Sequence, residues 1–153
     1  MTKKKSQDLV SNRKAHFHYE ILETFEAGIA LKGTEVKSLR DHGGSLQEAY
    51  VKISKNELWL VGCNIAPWRF GNIHNHEERR DKKLLMHKRE IARLKNATQE
   101  KGLTIVPLAI YLKGGRIKIK IATARGKAQI DKRHTIKERD EKRRMEKILK
   151  QHK

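Results

Sequence analysis

The sequence predicts a mainly β fold with α-helices: a small antiparallel barrel of the OB type, appended helices and a basic C-terminal tail. Two hairpin patterns predict the barrel. LTIVPLAIYLK and RIKIKIATAR are joined at Gly114-Gly115, and YVKIS and ELWLV at Lys55-Asn56, each joint being short enough for a hairpin turn. The tail is predicted by the last 28 residues, GKAQIDKRHTIKERDEKRRMEKILKQHK, of which sixteen are charged and none aromatic. Such a segment has too little apolar area to offset the entropy of ordering it. Any structure it takes must come from outside the chain.

The other elements follow in order. From Tyr19 to Leu39 the chain reads YEILETFEAGIALKGTEVKSL. Ile21 and Phe25 share parity, EAG reads as a turn, and Ile29 and Leu31 alternate with smaller partners. This predicts a hairpin of 18–25 with 29–39, bulged at Gly33. DHGGS is a loop, and Ser45 caps a short helix through LQEAY. Val51, Ile53, Leu58 and Leu60 alternate through the second hairpin, which NIAPW ends because Pro67 cannot donate to a ladder. Residues 69–81 read as a polar loop. Leu84, Leu85, Lys88, Ile91 and Leu94 recur at helical spacing and predict a helix over 82–96, with a further turn closed by Gly102. Pro107 marks an edge or a bulge. In RIKIKIA, Ile117, Ile119 and Ile121 take one face while Arg116, Lys118 and Lys120 take the other. About six strands result, and a two-layer α+β sandwich is the alternative arrangement. The domain division is a basic arm over 1–14, a barrel over 15–125 and the tail over 126–153.

The formal charge of +18 is unevenly placed. Residues 1–14 carry five bases against one acid, residues 125–153 carry twelve against five, and +7 is left on the body. A sequence pI near 10.2 points to a nucleic-acid partner, because counterion release rewards dispersed Lys and Arg. A membrane surface requires an apolar helix face that neither terminus has. A solubilising charge is the blander explanation of the same composition. Cys63 is the only cysteine, which excludes an intrachain disulfide and suits a reducing compartment. The N-terminal MTKKKSQDLV has no apolar signal core and no run approaches a membrane span, so the cytoplasm is expected.

Residues able to do chemistry are sparse. His16-x-His18 and His74-x-His76 lack the supporting ligands that zinc requires, so no metal or cofactor is expected. The GG and GK pairs are turn signals, not a phosphate-binding fingerprint. Glu26, Glu35 and Asp41 would have to gather at one end of the barrel to make a metal-dependent nuclease, and no D-x-D spacing supports that. With aromatic residues at 5%, the chain is better equipped to read the backbone shape of structured RNA than a series of unstacked bases.

Several short motifs occur in a specific order: Asn12-Arg13-Lys14-Ala15, Phe25-Glu26-Ala27-Gly28, Glu35-Val36-Lys37-Ser38-Leu39-Arg40, Gly102-Leu103-Thr104-Ile105-Val106-Pro107-Leu108, Gly126-Lys127 and Asp131-Lys132-Arg133. Over residues 12–140 the sequence resembles the SsrA-binding protein (SmpB) family, partners of transfer-messenger RNA. The resemblance implies an OB-like barrel that binds the tRNA-like domain of that RNA and delivers it to stalled ribosomes. The protein would stand where an anticodon arm would be, without catalytic activity. Separately from the resemblance, a monomer is expected. A permanent ribosomal or ribosome-assembly protein would share the same charge pattern.

Asn12, Glu26 and Lys118 match positions the family uses against RNA; Arg13, Lys14, Tyr19, Lys120 and Lys127 complete the expected RNA-binding set. A carboxylate facing phosphates is repelled, so Glu26 belongs there only as an acceptor for base amino groups or a 2′-OH. Asp131, Lys132 and Arg133 match the family's tail motif for the decoding region, continued by Lys137, Arg139, Lys142 and Arg143. Where the family often has a stacking residue before this Asp, the chain has Ile130, which offers an apolar contact. The resemblance places the tail in the empty mRNA channel. Glu138–Lys142, Asp140–Arg144 and Glu146–Lys150 are i, i+4 pairs worth only ~0.2–0.5 kcal/mol each. The tail is therefore expected to be disordered when free and helical when bound.

Overall fold

The hairpins expected at Lys55-Asn56 and Gly114-Gly115 both form, whereas the one expected of 18–25 with 29–39 does not. Lys55 and Asn56 (φ 51° and 62°) and Gly114 and Gly115 (φ 59° and 77°) supply the two successive positive φ values that a two-residue hairpin turn needs. The computed structural model describes residues 7–71, 75–127, 139 and 142–145. Its elements in order are β1 (Gln7–Ser11), α1 (Arg13–His18), β2 (Tyr19–Ile29), α2 (Gly33–Arg40), β3 (Gly44–Ser45) and β4 (Tyr50–Ser54). There follow β5 (Glu57–Val61), β6 (Asn64–Ile65), β7 (Lys82–Leu85), α3 (Lys88–Glu100), β8 (Thr104–Lys113) and β9 (Arg116–Gly126). Part of the expected N-terminal arm, residues 7–14, is thus strand and helix; residues 1–6 lie outside the described residues.

Seven strands form one antiparallel sheet in the order β1-β8-β9-β2-β7-β5-β4, and β3 pairs with β6 apart from it. Each of the seven gives side chains to a single apolar cluster, from Leu9 and Val10 on β1 to Val51 on β4. A flat sheet cannot bring its two edges into one core, so this sheet curls. β4 comes alongside β8, yet no ladder joins them. The mainly β architecture with helices is as expected, but the barrel is not closed. Leu39 of α2 and Leu94 of α3 are fully buried in the same cluster.

Two bulges decide which residues reach the outer face. On β9 the alternation is unbroken: Ile119 and Ile121 enter the main cluster, while Ala122 and Ala124 join a smaller cluster beneath α1. On β8 the register shifts between Pro107 and Ala109. Ile105 and Ile110 therefore both face the main core although they are an odd number of positions apart. On β2 it shifts between Ile21 and Glu23, so Ile21 faces the small cluster and Phe25 the main one. Each extra residue inverts the parity of everything after it. The β2 bulge leaves the Glu23 N–H off the ladder, and it donates to Thr123 Oγ1 at 3.2 Å.

Four stretches depart from expectation. Glu26-Ala27-Gly28 does not turn; β2 continues because β9 offers partners as far as Lys118 opposite Gly28. At Gly28 a Cβ would lie 3.3 Å from the Leu85 Cβ, so the glycine admits the neighbouring strand closely. Residues 33–40, expected as strand, are α2: Glu35, Ser38 and Leu39 form its buried face at i, i+3, i+4. Residues 46–49 are a turn, and Ser45 lies in β3 rather than at a helix start. Finally, Lys82–Leu85 is a strand paired with β2 and β5, and the extended His87 (ψ 143°) starts α3 only at Lys88.

Glu35 anchors α2 to the sheet by charge. Its side chain is fully buried, as is that of Lys82. Glu35 Oε1 accepts from Arg80 Nη2 at 2.5 Å and from the Lys32 N–H at 2.7 Å. Lys82 Nζ lies 3.8 Å from Glu35 Oε2 and donates to the carbonyls of Cys63 and Arg80. Burial alone would raise the Glu35 pKa, but Arg80, the Lys32 N–H and Lys82 outweigh it and hold the carboxyl below its usual value. Burial lowers that of Lys82 and pushes the Cys63 thiol up to about 11, so the thiol stays protonated. Because the Glu35 pKa is depressed in the fold, its stabilising contribution is complete above the unfolded value and is lost as pH falls through the folded one. Replacing Glu35 by Ala strands a buried ammonium and should cost about 3–5 kcal/mol in urea unfolding. The Glu35→Leu, Lys82→Met double variant should be markedly more stable than Glu35→Ala; equal loss in both would contradict the ion network.

Candidate nucleic-acid interface

The outer face of β2, β9 and β8, bounded by α1 and the end of β1, forms an open cleft of about 760 Å³. The β2 bulge turns Glu26 outward into it, and the β8 bulge does the same for Tyr111 and Lys113. Lys120, opposite Glu26 on β9, lines the same cleft, as do Asn12, Arg13 and His16. Lys118 lies opposite Tyr111 on one side and Gly28 on the other. It opens onto an adjoining groove with Arg40, Arg116 and the exposed Leu85. Lys14, Tyr19 and Lys127 line a third groove beyond α1, and Asn12 borders this one too. The eight expected RNA-binding residues thus occupy three adjoining grooves around α1 and β9.

Asn12 has a structural task. Its Nδ2 donates to the Pro107 carbonyl at 2.8 Å, and its backbone N–H donates to the Leu108 carbonyl at the same distance. Both acceptors belong to the β8 bulge, so Asn12 fastens the start of α1 where the sheet changes parity. Lys127 closes the other end of α1: its N–H donates to the His18 carbonyl and its Nζ to that of His16, both at 3.0 Å. Tyr19 packs half-buried against the small cluster. Arg13 and Lys14 are exposed on α1.

Glu26 is the acid in this cationic setting. Its Oε2 accepts the Tyr111 hydroxyl at 2.5 Å and Lys113 Nζ at 3.2 Å. The Tyr111 hydrogen bond is the main force holding the Glu26 carboxyl below its usual pKa; burial opposes it, and Lys113 and then Lys118 add to it. Burial, then Glu26 itself, pushes the Tyr111 phenol far above its ordinary value. The pair is therefore a fixed donor and a fixed carboxylate at neutral pH. Side chains like Tyr111 and Lys113 were invisible to pattern reading: Tyr111 reads as a core aromatic, and its outward turn depends on a bulge that Pro107 only hints at.

Glu26, Glu35 and Asp41 do not assemble into a nuclease site. Glu35 is sealed in the α2 network, Glu26 is held by Tyr111 and Lys113, and Asp41 is exposed, 3.5 Å from Arg69. Among the described residues no trio of His, Cys, Asp or Glu is placed to hold a metal ion, and no helix is long and apolar enough to cross a membrane. In the tail, Arg139, Lys142 and Arg143 are exposed and helical. Asp131, Lys132, Arg133 and Lys137 lie outside the described residues.

A curled antiparallel sheet with cationic grooves across its outer face and a preset acceptor among them defines a protein of the nucleic-acid-binding class. The family model described as "SmpB protein" matches residues 9–151. An SsrA-binding protein of Protochlamydia amoebophila is 68% identical over 149 residues, which is 97% of each chain. One of Chlamydia caviae is 54% identical over 147 residues, covering 96% of this chain and 98% of the relative. A solved chain from "tmRNA-SmpB: a journey to the center of the bacterial ribosome" is 48% identical, with a TM-score of 0.65, covering 78% of this chain and 84% of its own. The chain belongs to the SmpB family.

If Lys118 neutralises one phosphate, Lys118→Ala should weaken RNA binding and reduce the log–log salt slope by about one unit. An unchanged slope in a filter-binding titration would remove Lys118 from the phosphate contacts.

Proposed function

We propose that this chain binds the tRNA-like domain of transfer-messenger RNA and delivers it to stalled ribosomes for trans-translation. The observation that carries this reading is Glu26, an ionised acceptor fixed between Lys113, Lys118 and Lys120. Phosphates satisfy the lysines, but only an RNA that presents a donor at one place and backbone around it satisfies the whole face. Family membership and the names of the relatives support the particular RNA and its ribosomal destination. Asn12, Arg13, Lys14, Tyr19, Lys120 and Lys127 extend the contact along α1. The protein performs this task in the cytoplasm, as a monomer and without chemistry of its own, as an adaptor between two RNA assemblies.

The tail makes the second engagement. Asp131, Lys132 and Arg133 meet the decoding region, and the residues from Lys137 onward enter the vacant mRNA channel as a helix. There phosphates screen the like charges, and confinement lowers the cost of ordering. The sheet and the tail therefore do separate jobs. Deleting residues 131–153 should leave affinity for the RNA nearly unchanged while abolishing release of stalled ribosomes in a reconstituted translation assay. A large loss of RNA affinity would contradict that division.

Sequencing the RNA that copurifies with the tagged full chain tests the function itself. One tRNA-like species should dominate. A random cellular mixture, or ribosomal RNA in equal amount on all ribosomes, would replace this reading with that of a ribosomal or ribosome-assembly protein.

A further inference from the structure

Glu26 and Tyr111 lie on strands that do not pair with each other: β9 runs between β2 and β8. Neighbouring strands are spaced by about 4.8 Å, so the pair spans roughly twice that distance across the sheet. The ladder fixes where the bridge crosses. Tyr111 is opposite Lys118 and Glu26 is opposite Lys120, so the phenol reaches diagonally over β9 between two lysines of the same face. Glu26 has Lys120 as its direct cross-strand neighbour, the ordinary partner for a carboxylate on a sheet. Among the described residues its ion pair is instead with Lys113 on β8. The tyrosine hydroxyl draws the carboxylate toward β8 and away from the β9 lysines.

We infer that Tyr111 is a positioning residue for RNA recognition: its hydroxyl fixes the Glu26 carboxylate as an acceptor for an RNA amino group or 2′-hydroxyl and keeps that carboxylate from neutralising Lys118 and Lys120. The inference rests on the RNA-binding reading above and adds to it a source of selectivity. A cationic sheet alone binds any polyanion. A carboxylate set among the lysines penalises phosphate at one point and rewards a donor there, so it discriminates between RNA shapes. That discrimination requires an acceptor that stays put. A carboxylate free to swing onto Lys120 would cancel one phosphate contact and lose its aim together.

Two features of Tyr111 suit it to the task. Tyr111 as a whole residue is 7% exposed, so packing orients its ring from below. The phenol is far from ionising, which keeps its hydrogen available to Glu26. Other charged groups also face the carboxylate. Lys113 shares Oε2 from β8, and the lysines of β9 flank it. Across the cleft stand Asp8 of β1 and Arg13 and His16 of α1. Protonating Glu26 removes both the acceptor and the repulsion of phosphate. Discrimination must therefore fall as pH drops through the Glu26 value, while binding of an indifferent polyanion rises.

The test compares the full chain with Tyr111→Phe, Glu26→Gln and the double variant. The probes are a transcript of the tRNA-like domain and single-stranded poly(U) of the same length, titrated from neutral to acid pH. For Tyr111→Phe, the preference for the tRNA-like transcript should fall by about threefold to tenfold, the range of one net hydrogen bond. The salt slope should fall by about one unit as the freed carboxylate neutralises Lys120, and the acid loss of preference should begin at higher pH than in the wild type. Glu26→Gln should abolish that acid limb, and in its background Tyr111→Phe should add nothing. Equal weakening toward both RNAs, an unshifted acid limb, or additive effects in the double variant would each overturn the positioning role. A wild-type chain with no preference for the transcript would sink the RNA-binding reading itself. A preserved wild-type preference that Tyr111→Phe leaves intact would sink the inference alone.

Discussion

The candidate binding face exists because two strands change parity while the strand between them does not. β9 alternates without a break, setting Lys118 and Lys120 outward and its isoleucines inward. Its neighbours β2 and β8 each insert one residue, between Ile21 and Glu23 and between Pro107 and Ala109. Without these bulges, Glu26 and Tyr111 would point into the apolar cluster, where an unpaired carboxylate is expensive. The bulges are fastened locally. Thr123 Oγ1 accepts the N–H displaced on β2, and Asn12 binds two consecutive carbonyls at the bulge of β8. One defect in each flanking strand converts an ordinary half-buried sheet into a surface with lysines, an acceptor and the residue that orients it.

Two of the chain's acids are used in opposite ways. Glu35 is withdrawn from water and joined to Arg80 and Lys82, fixing α2 against the sheet. Glu26 stays partly exposed at the centre of the cationic face, its pKa lowered by neighbours that RNA contact would not have to displace. In a protein of net charge +18, an acid left on the binding face weakens general polyanion affinity and sharpens the choice among polyanions. The same economy governs α1, whose ends are tied by Asn12 and Lys127 while Arg13 and Lys14 remain at the surface.

The two hairpins were legible because their turns are local: Asn56, Gly114 and Gly115 accept positive φ readily, and each pair sits between two alternating runs. The alternation of RIKIKIA was legible for the same reason, and it gave Lys118 and Lys120 their face. The rest depended on partners distant in sequence. Glu26-Ala27-Gly28 has the composition of a turn and becomes strand because β9 pairs along it. Glu35-Val36-Lys37-Ser38-Leu39 is short enough to fit either period, and the buried contacts of Glu35 and Leu39 decide for helix. Leu84 satisfies a helical stripe and a strand equally, and the gap between β2 and β5 claims it for the sheet. Asn12, Glu26 and Lys118 were expected from the resemblance, whereas the place of Tyr111 and Lys113 beside Glu26 required the bulge to be seen.

The parity of β8 can be read in solution from the surroundings of one ring. In a nuclear Overhauser spectrum of the free protein, the Tyr111 ring protons should show cross-peaks to the side-chain protons of Glu26 and to the methylenes of Lys118 or Lys120. Cross-peaks from that ring to Leu94 and Ile119 of the main cluster, with none to Glu26, would place Tyr111 on the inner face and contradict the account.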